Sequence, residues 1–150
     1  MMTLPLLDFV KPCNLHIPDE ILDENILSKI KYHIEKIDEL RTPGGMIEEF
    51  GIVVHLINSL YKFFLNQKET EAGDILPVLI YCIISVKPKR IIFNLNFSKF
   101  FLSEKDLLGG LGYNMIQVES SINFIKNLEA NQIGISQEEF NKYSSTIIFK

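Results

Sequence analysis

Residues 72–102 read AGDILPVLIYCIISVKPKRIIFNLNFSKFFL. An acid, Asp74, and a proline, Pro77, stand at the mouth of a run from Ile75 to Val86 that is apolar nearly all round. Such a run is a helix buried by neighbours on most sides. Asp74 opens it, because a side-chain oxygen there can accept an orphan backbone N–H of the first turn. Pro77 is expected within that first turn, where its missing N–H costs little. Lys87-Pro88 ends the helix, since a residue before proline resists the α conformation. The apolar run is about a dozen residues long, against the ~20 that a membrane span needs. It reads as a core helix of a cytoplasmic protein.

The pattern around this segment is helical too. Ile26, Ile30, Ile34 and Ile37 fall on one face of a helix expected to start near Pro18. Arg41-Thr42-Pro43-Gly44-Gly45 breaks it. Met46, Phe50, Val53, Ile57, Leu60 and Phe64 mark a longer helix that carries aromatic bulk into a core. Gly51 in its middle suggests close packing of a neighbour. Residues 66–73, NQKETEAG, read as a polar loop. Downstream, Ile91 to Leu102 is expected as a shorter helix, with Phe93, Phe97, Phe100 and Phe101 packed densely. Ser103 to Asp106 resembles a capping motif, and Gly109-Gly110-Leu111-Gly112 would allow a tight excursion at positive φ. Val118, Ile122, Ile125 and Leu128 mark a strong helix, Ser136 to Glu139 caps a brief C-terminal one, and Ile147-Ile148-Phe149 is an apolar tail. The expectation is one all-α layered bundle spanning 1–150, with its core at about 18–143 and no repeats or linkers.

Composition narrows the function. An apolar fraction of 47% with 23% charged residues is globular. The net charge of −4 lacks the concentrated positive field that nucleic acid or an anionic membrane requires. The basic cluster Lys87 to Arg90 is read as a solvated helix junction. Cys13 and Cys82 lie far apart and form no CxxC pair, which fits a reducing compartment. The opening MMTLPLLDFVKPC has no basic head and is broken by Pro5, Asp8 and Pro12, so it reads as a poor signal peptide.

The residues alone offer no small-molecule chemistry. A carboxylate at a helix N-terminus, such as Asp74, is first of all a cap stabilised by the helix dipole. Acid–base work pairs two groups in different environments, and no partner stands near it in sequence. His16, His33 and His55 show no ligand spacing and read as structural, so no metal site is expected. The glycines at 109, 110 and 112 do not follow a strand, which disfavours a phosphate or dinucleotide loop. No cofactor is expected.

The order of these segments resembles the Vps-nine (vacuolar protein sorting nine) domain, the catalytic module of guanine-nucleotide exchange factors for Rab GTPases of the early endosome. The family's core reads "GAD-acid-FLPVLIY…NP…SNI-aromatic-I…GYY-x-T…SA-x-x-FI". Here it is matched by Gly73-Asp74-Ile75-Leu76-Pro77, by Asn94, by Gly112-Tyr113 and by Ile122-Asn123-Phe124-Ile125. Upstream, residues 15–60 look like the family's first half, and QEEF ending at Phe140 resembles the segment that often follows the core.

The resemblance implies a fold and a mechanism. The fold would be the all-α bundle already expected. In the family an aspartate before the "FLP" turn enters the GTPase's nucleotide site, contacts the phosphate-binding lysine and disfavours magnesium and the β-phosphate. The physical logic is charge competition, an added carboxylate standing in for the phosphate. A tyrosine and a threonine of "GYY-x-T" help to hold the switch segments, and an apolar groove between helices receives their side chains. The implied partner is a Rab-five-like GTPase, nucleotide-free or GDP-bound, met by a monomer recruited to early endosomes without inserting into the membrane.

Two positions depart from the pattern. The exchange aspartate aligns with Gly73, and Asp74 aligns with the acid after it. The threonine position holds Ile116. The implied site is therefore Asp74 as the exchange acid, with Gly73, Pro77, Asn94, Tyr113 and Ile116 as GTPase-binding positions and Asn94 fixing a loop near the groove. Three readings stay open beside that of an unrelated helical module. Asp74 takes over after a one-residue shift of the loop, the domain exchanges weakly through groove binding alone, or it binds a Rab-type GTPase without catalysing exchange.

Overall fold

In a computed structural model of the chain, α2 (Pro43–Leu65) is the helix around which the others gather, touching α1 (Glu24–Glu39), α3 (Ala72–Val86), α4 (Ile91–Phe100) and α6 (Gly110–Lys126). The structure describes residues 4 and 7–148, residues 144–148 by backbone alone. Two further helices, α5 (Glu104–Leu108) and α7 (Gln137–Ile148), and three short 3-10 turns complete an all-α arrangement with no strand among the described residues. Ile147 and Ile148 of the apolar tail belong to α7, whereas Phe149 lies outside the described residues, as does Pro5 of the N-terminal segment.

The helical faces follow the apolar spacing. In α1 the residues Leu27, Ile30, Ile34 and Ile37 are buried, and in α2 Met46, Phe50, Val53, Ile57 and Leu60 meet them. Each such side chain contributes about 1.5–3 kcal/mol by leaving water. Phe64 is the exception, 42% exposed at the end of α2. The first helix begins at Glu24 and not near Pro18. A 3-10 turn at Asp19–Ile21 intervenes, and Asp23 caps α1 by accepting the N–H of Ile26 at 3.0 Å. Thr42 caps α2 in the same way, accepting from Gly45.

Two expectations along the second half need correction, and a third needs placing. The helix that carries Asp74 starts at Ala72, so Pro77 sits inside it, beyond the first turn. The tolerance there has a cost, because the missing N–H of Pro77 leaves the Gly73 carbonyl without its i+4 donor. The aromatics at α4 pack densely, but along the surface, with Phe97 half-buried against the core. Phe93, Phe100 and Phe101 are exposed, and the buried face is Ile91, Ile92, Asn94, Leu95 and Ser98. Phe93 stacks on Phe97, and Phe97 meets Phe101 edge-on, so the rings pack against one another along the surface. Finally, the glycines before α6 need no positive φ. Gly109 is extended and Gly112 is helical, and of the described glycines Gly134 alone has φ in the left-handed region, at 72°.

Long-range polar contacts lock α4 to the end of α1. The Asp38 carboxylate accepts the backbone N–H groups of Lys89 at 2.7 Å and Arg90 at 3.1 Å, capping α4 from another helix. Next to it, the fully buried Asn94 donates from Nδ2 to the carbonyl of Ile37 at 2.9 Å. Lys87, which ends α3 at φ 56°, pairs with Asp8 at 2.7 Å. The basic cluster is thus a junction, held by one acid from the N-terminal segment and one from α1.

Candidate functional site

The first turn of α3 is built on Asp74 as its capping acid. With Glu71 as N-cap, Asp74 is the third helical residue, and its Oδ2 accepts the Glu71 N–H at 3.1 Å. The same oxygen accepts from the side-chain amide of Gln67 at 2.8 Å, and that amide also donates to the Glu69 carbonyl at 2.8 Å. Tyr61 of α2 donates its hydroxyl to the backbone carbonyl of Asp74 at 2.9 Å. Burial, helped by the charge of Asp74, pushes the Tyr61 phenol up to about 12, so it stays a donor throughout the physiological range. Asp74 is half-buried and fastened at three points, two on its carboxylate and one on its backbone.

One residue earlier the geometry is open. Gly73 is exposed, and a Cβ built on it meets nothing within 4 Å. Pro77 lies one turn further along and is half-buried.

The neighbouring helix is α6, which packs along α3. Tyr113 is 42% and Ile116 57% exposed, three residues apart on its outer face. Asn114, between them, turns inward, its Nδ2 lying 3.5 Å from where a Cβ on Gly51 would stand. That is ordinary van der Waals spacing, so α6 crosses α2 at Gly51 without requiring the glycine. The fixed point is Gly112, where an added Cβ would come within 1.9 Å of the Leu107 carbonyl oxygen. This close approach of α5 to α6 orients Tyr113, the next residue. Leu107, Leu108 and Leu111 are also exposed at this end.

Asn94 stands apart from this surface. Its side chain is fully buried and reaches the Ile37 carbonyl; it holds α4 to α1 and offers nothing to a partner. The hydrogen bond it makes ties α4 to α1 in the core, and not a loop beside a groove. The sequence reading also missed Gln67, whose place in a polar loop carries no mark of its tie to Asp74. It missed the cluster on α1 and α2 as well, where the buried Glu49 receives His33 Nδ1 at 2.5 Å and Lys36 Nζ at 3.1 Å. The hydrogen bond that Lys36 donates to Glu49, and then the Glu49 charge, raise the Lys36 pKa. Among the described residues no group of histidines, cysteines and acids could hold a metal ion. Nor is any described helix long and apolar enough to cross a membrane.

An all-α domain with an acid-bearing proline helix packed along a tyrosine-bearing helix defines the class. The family model for the vacuolar sorting protein 9 (VPS9) domain matches residues 27–130, and the chain belongs to that family. Among its relatives, Vacuolar protein sorting-associated protein 9A of Arabidopsis thaliana is 27% identical over 137 residues, 89% of this chain and 26% of that protein. The Rab5 GDP/GTP exchange factor of Mus musculus is 32% identical over 136 residues, 89% of this chain and 27% of that protein. Receptor-mediated endocytosis protein 6 of Caenorhabditis elegans is 24% identical over 123 residues, 81% of this chain and 11% of that protein. The chain thus spans about a quarter, or less, of the length of these curated relatives.

Proposed function

We propose that the domain promotes GDP release from a small GTPase of the Rab family, with a Rab5-like GTPase of the early endosome as its target. The observation that carries this reading is that the family match spans α3 through α6, the helices that bear Gly73, Asp74, Pro77, Tyr113 and Ile116. In this mechanism Asp74 leaves Gln67 and presents its carboxylate to the lysine that otherwise holds the nucleotide phosphates. Tyr113, Ile116 and Pro77 grip the switch segments through apolar contact. Coupling is reciprocal, so whatever weakens nucleotide binding binds best to the nucleotide-free GTPase. The domain acts as a cytosolic monomer that meets its GTPase at the endosome surface.

The fastening of Asp74 supports a second reading, a Rab-binding module without exchange activity. Freeing the carboxylate forfeits its hydrogen bonds, each worth about 1.5–3 kcal/mol for a charged group. Ile116 strengthens that reading, because it offers an apolar contact where the family pattern has a hydroxyl. Release of a fluorescent GDP analogue from a panel of endosomal Rab GTPases separates the two. Acceleration by catalytic amounts of the domain supports exchange. Saturable calorimetric binding with unchanged release supports the module, and neither effect in excess domain defeats both.

A further inference from the structure

We propose that the cavity between the C-terminal half of α2 and the α2–α3 loop binds a phosphate-bearing anion, and that an occupant reaches Asp74 through Gln67. The cavity holds about 490 Å3, within the roughly 300–1,000 Å3 of small-molecule sites. Lys62, Lys68 and His55 line it, with the hydroxyls of Ser59 and Thr70 and the amide of Gln67. Neither lysine forms an ion pair with a described residue. The chain carries a net charge of −4, yet this wall sets two uncommitted ammonium groups against a single acid, Glu69. Lysine binds phosphate as a point charge, and hydroxyl and amide donors complete the shell. The hydroxyls now serve local acceptors. Ser59 donates to the His55 carbonyl at 3.0 Å, and Thr70 to the Asn58 side chain. Both can turn toward a stronger, charged one.

The connection to α3 is short. Both N–H bonds of the Gln67 amide are in use, one to Asp74 and one to the Glu69 carbonyl. An anion that recruits this amide releases the Asp74 carboxylate. The effect of that release on GDP exchange rests on the proposed function; the anion site itself does not. The phosphate group can belong to a free metabolite or to a lipid headgroup, with the exposed Phe63 at the cavity wall facing the bilayer in the second case.

The test titrates the intact domain, at constant ionic strength with a chloride control, in three arms. These are inorganic phosphate, a soluble inositol phosphate, and phosphatidylcholine vesicles doped with a phosphatidylinositol monophosphate. Saturable amide shifts confined to residues 55–74 are expected, weakened about tenfold in the Lys62→Ala/Lys68→Ala variant (about 1.4 kcal/mol) and strengthened in Glu69→Gln. Binding in the soluble arms assigns a free anion, and binding to vesicles alone assigns a headgroup. No saturable shift in any arm, or shifts indifferent to the lysine substitutions, overturns the site. Shifts in the cavity that leave Asp74 unmoved overturn the coupling. A domain that binds the anion but never accelerates GDP release defeats the exchange reading and leaves the site standing.

Discussion

Gln67 and Asp74 are joined by a 2.8 Å hydrogen bond that spans the α2–α3 loop and holds the candidate exchange acid at its own helix end. The bond sets the Asp74 carboxylate against any outside cation, because a charged acceptor gives up a partner only for a better one. Removing the donor should therefore favour exchange. In Gln67→Ala the Glu71 N–H remains, so the helix start survives with a loss of about 1 kcal/mol, read as a lower melting temperature. GDP release should quicken severalfold. An unchanged rate at full GTPase occupancy would mean that this tether does not limit exchange.

Gly73→Asp restores an acid at the position where the family pattern has one. The structure has room for it, since nothing lies within 4 Å of the added Cβ. An acid in the first turn of a helix is worth about 0.3–1 kcal/mol through the helix dipole, so the variant should be at least as stable as the parent. Its exchange rate should rise by tenfold or more if the register of the acid is the limiting defect. A stable, GTPase-binding variant with no gain would shift the weight to Asp74 itself or to binding without exchange.

The sequence makes α1, α2 and α3 legible because their apolar residues recur at helical spacing and do face the core, as Ile30, Ile34, Met46 and Phe50 show. The same reasoning inverts α4. Phe93, Phe100 and Phe101 give a strong apolar signal but point outward, while Asn94 and Ser98 are buried. Hydrophobicity cannot reveal that choice, because the polar pair finds its partners far off in the chain or one turn away, with the Asn94 Oδ1 alone left without one. Asn94 reaches Ile37, and Ser98 donates to the Asn94 carbonyl. Asp38 is equally silent in sequence, although it caps a helix 51 residues later. Of the candidate site, Asp74 is readable as a capping acid from its position, and Pro77 and Tyr113 are named by the resemblance alone; the grip of Gln67 comes from a loop conformation that no spacing rule encodes.

The α1–α4 junction gives a stability prediction free of any assumption about function. Asp38→Ala leaves the Lys89 and Arg90 N–H groups without their acceptor and should cost about 2 kcal/mol. Asp38→Asn keeps one acceptor oxygen and should recover about half of that in a denaturant titration. Equal stability of all three proteins would show that water caps α4 as well as the carboxylate does.

High pH should weaken the fold through two buried protons, with the raised Lys36 ammonium acting in the same direction. Burial raises the Cys82 thiol, normally near 9, to about 12, and Tyr61 is raised from 10 to about 12 by burial and by Asp74. Both groups hold their protons more tightly folded than unfolded. Their contribution is complete below the unfolded pKa values and is lost as pH climbs from about 9 toward 12. Denaturant midpoints should thus decline across that window, and less steeply in Tyr61→Phe. A slope that ignores the substitution would assign the loss to Cys82 and Lys36.

Gly112 and Gly51 form a contrast that tests how α6 is set. Gly112→Ala drives a Cβ to 1.9 Å from the Leu107 carbonyl oxygen, which belongs to backbone and cannot swing aside. The α5–α6 corner must open, at a cost of about 3 kcal/mol or more, and Tyr113 must move with it. GTPase binding should fall together with stability. Gly51→Ala meets only Asn114 at an ordinary 3.5 Å and fills a helix interior, where alanine is favoured over glycine by up to about 1 kcal/mol. It should leave the fold as stable or stabler, with binding intact. If the two alanines behave alike in thermal melts, the close approach of α5 to α6 does not govern the placement of Tyr113.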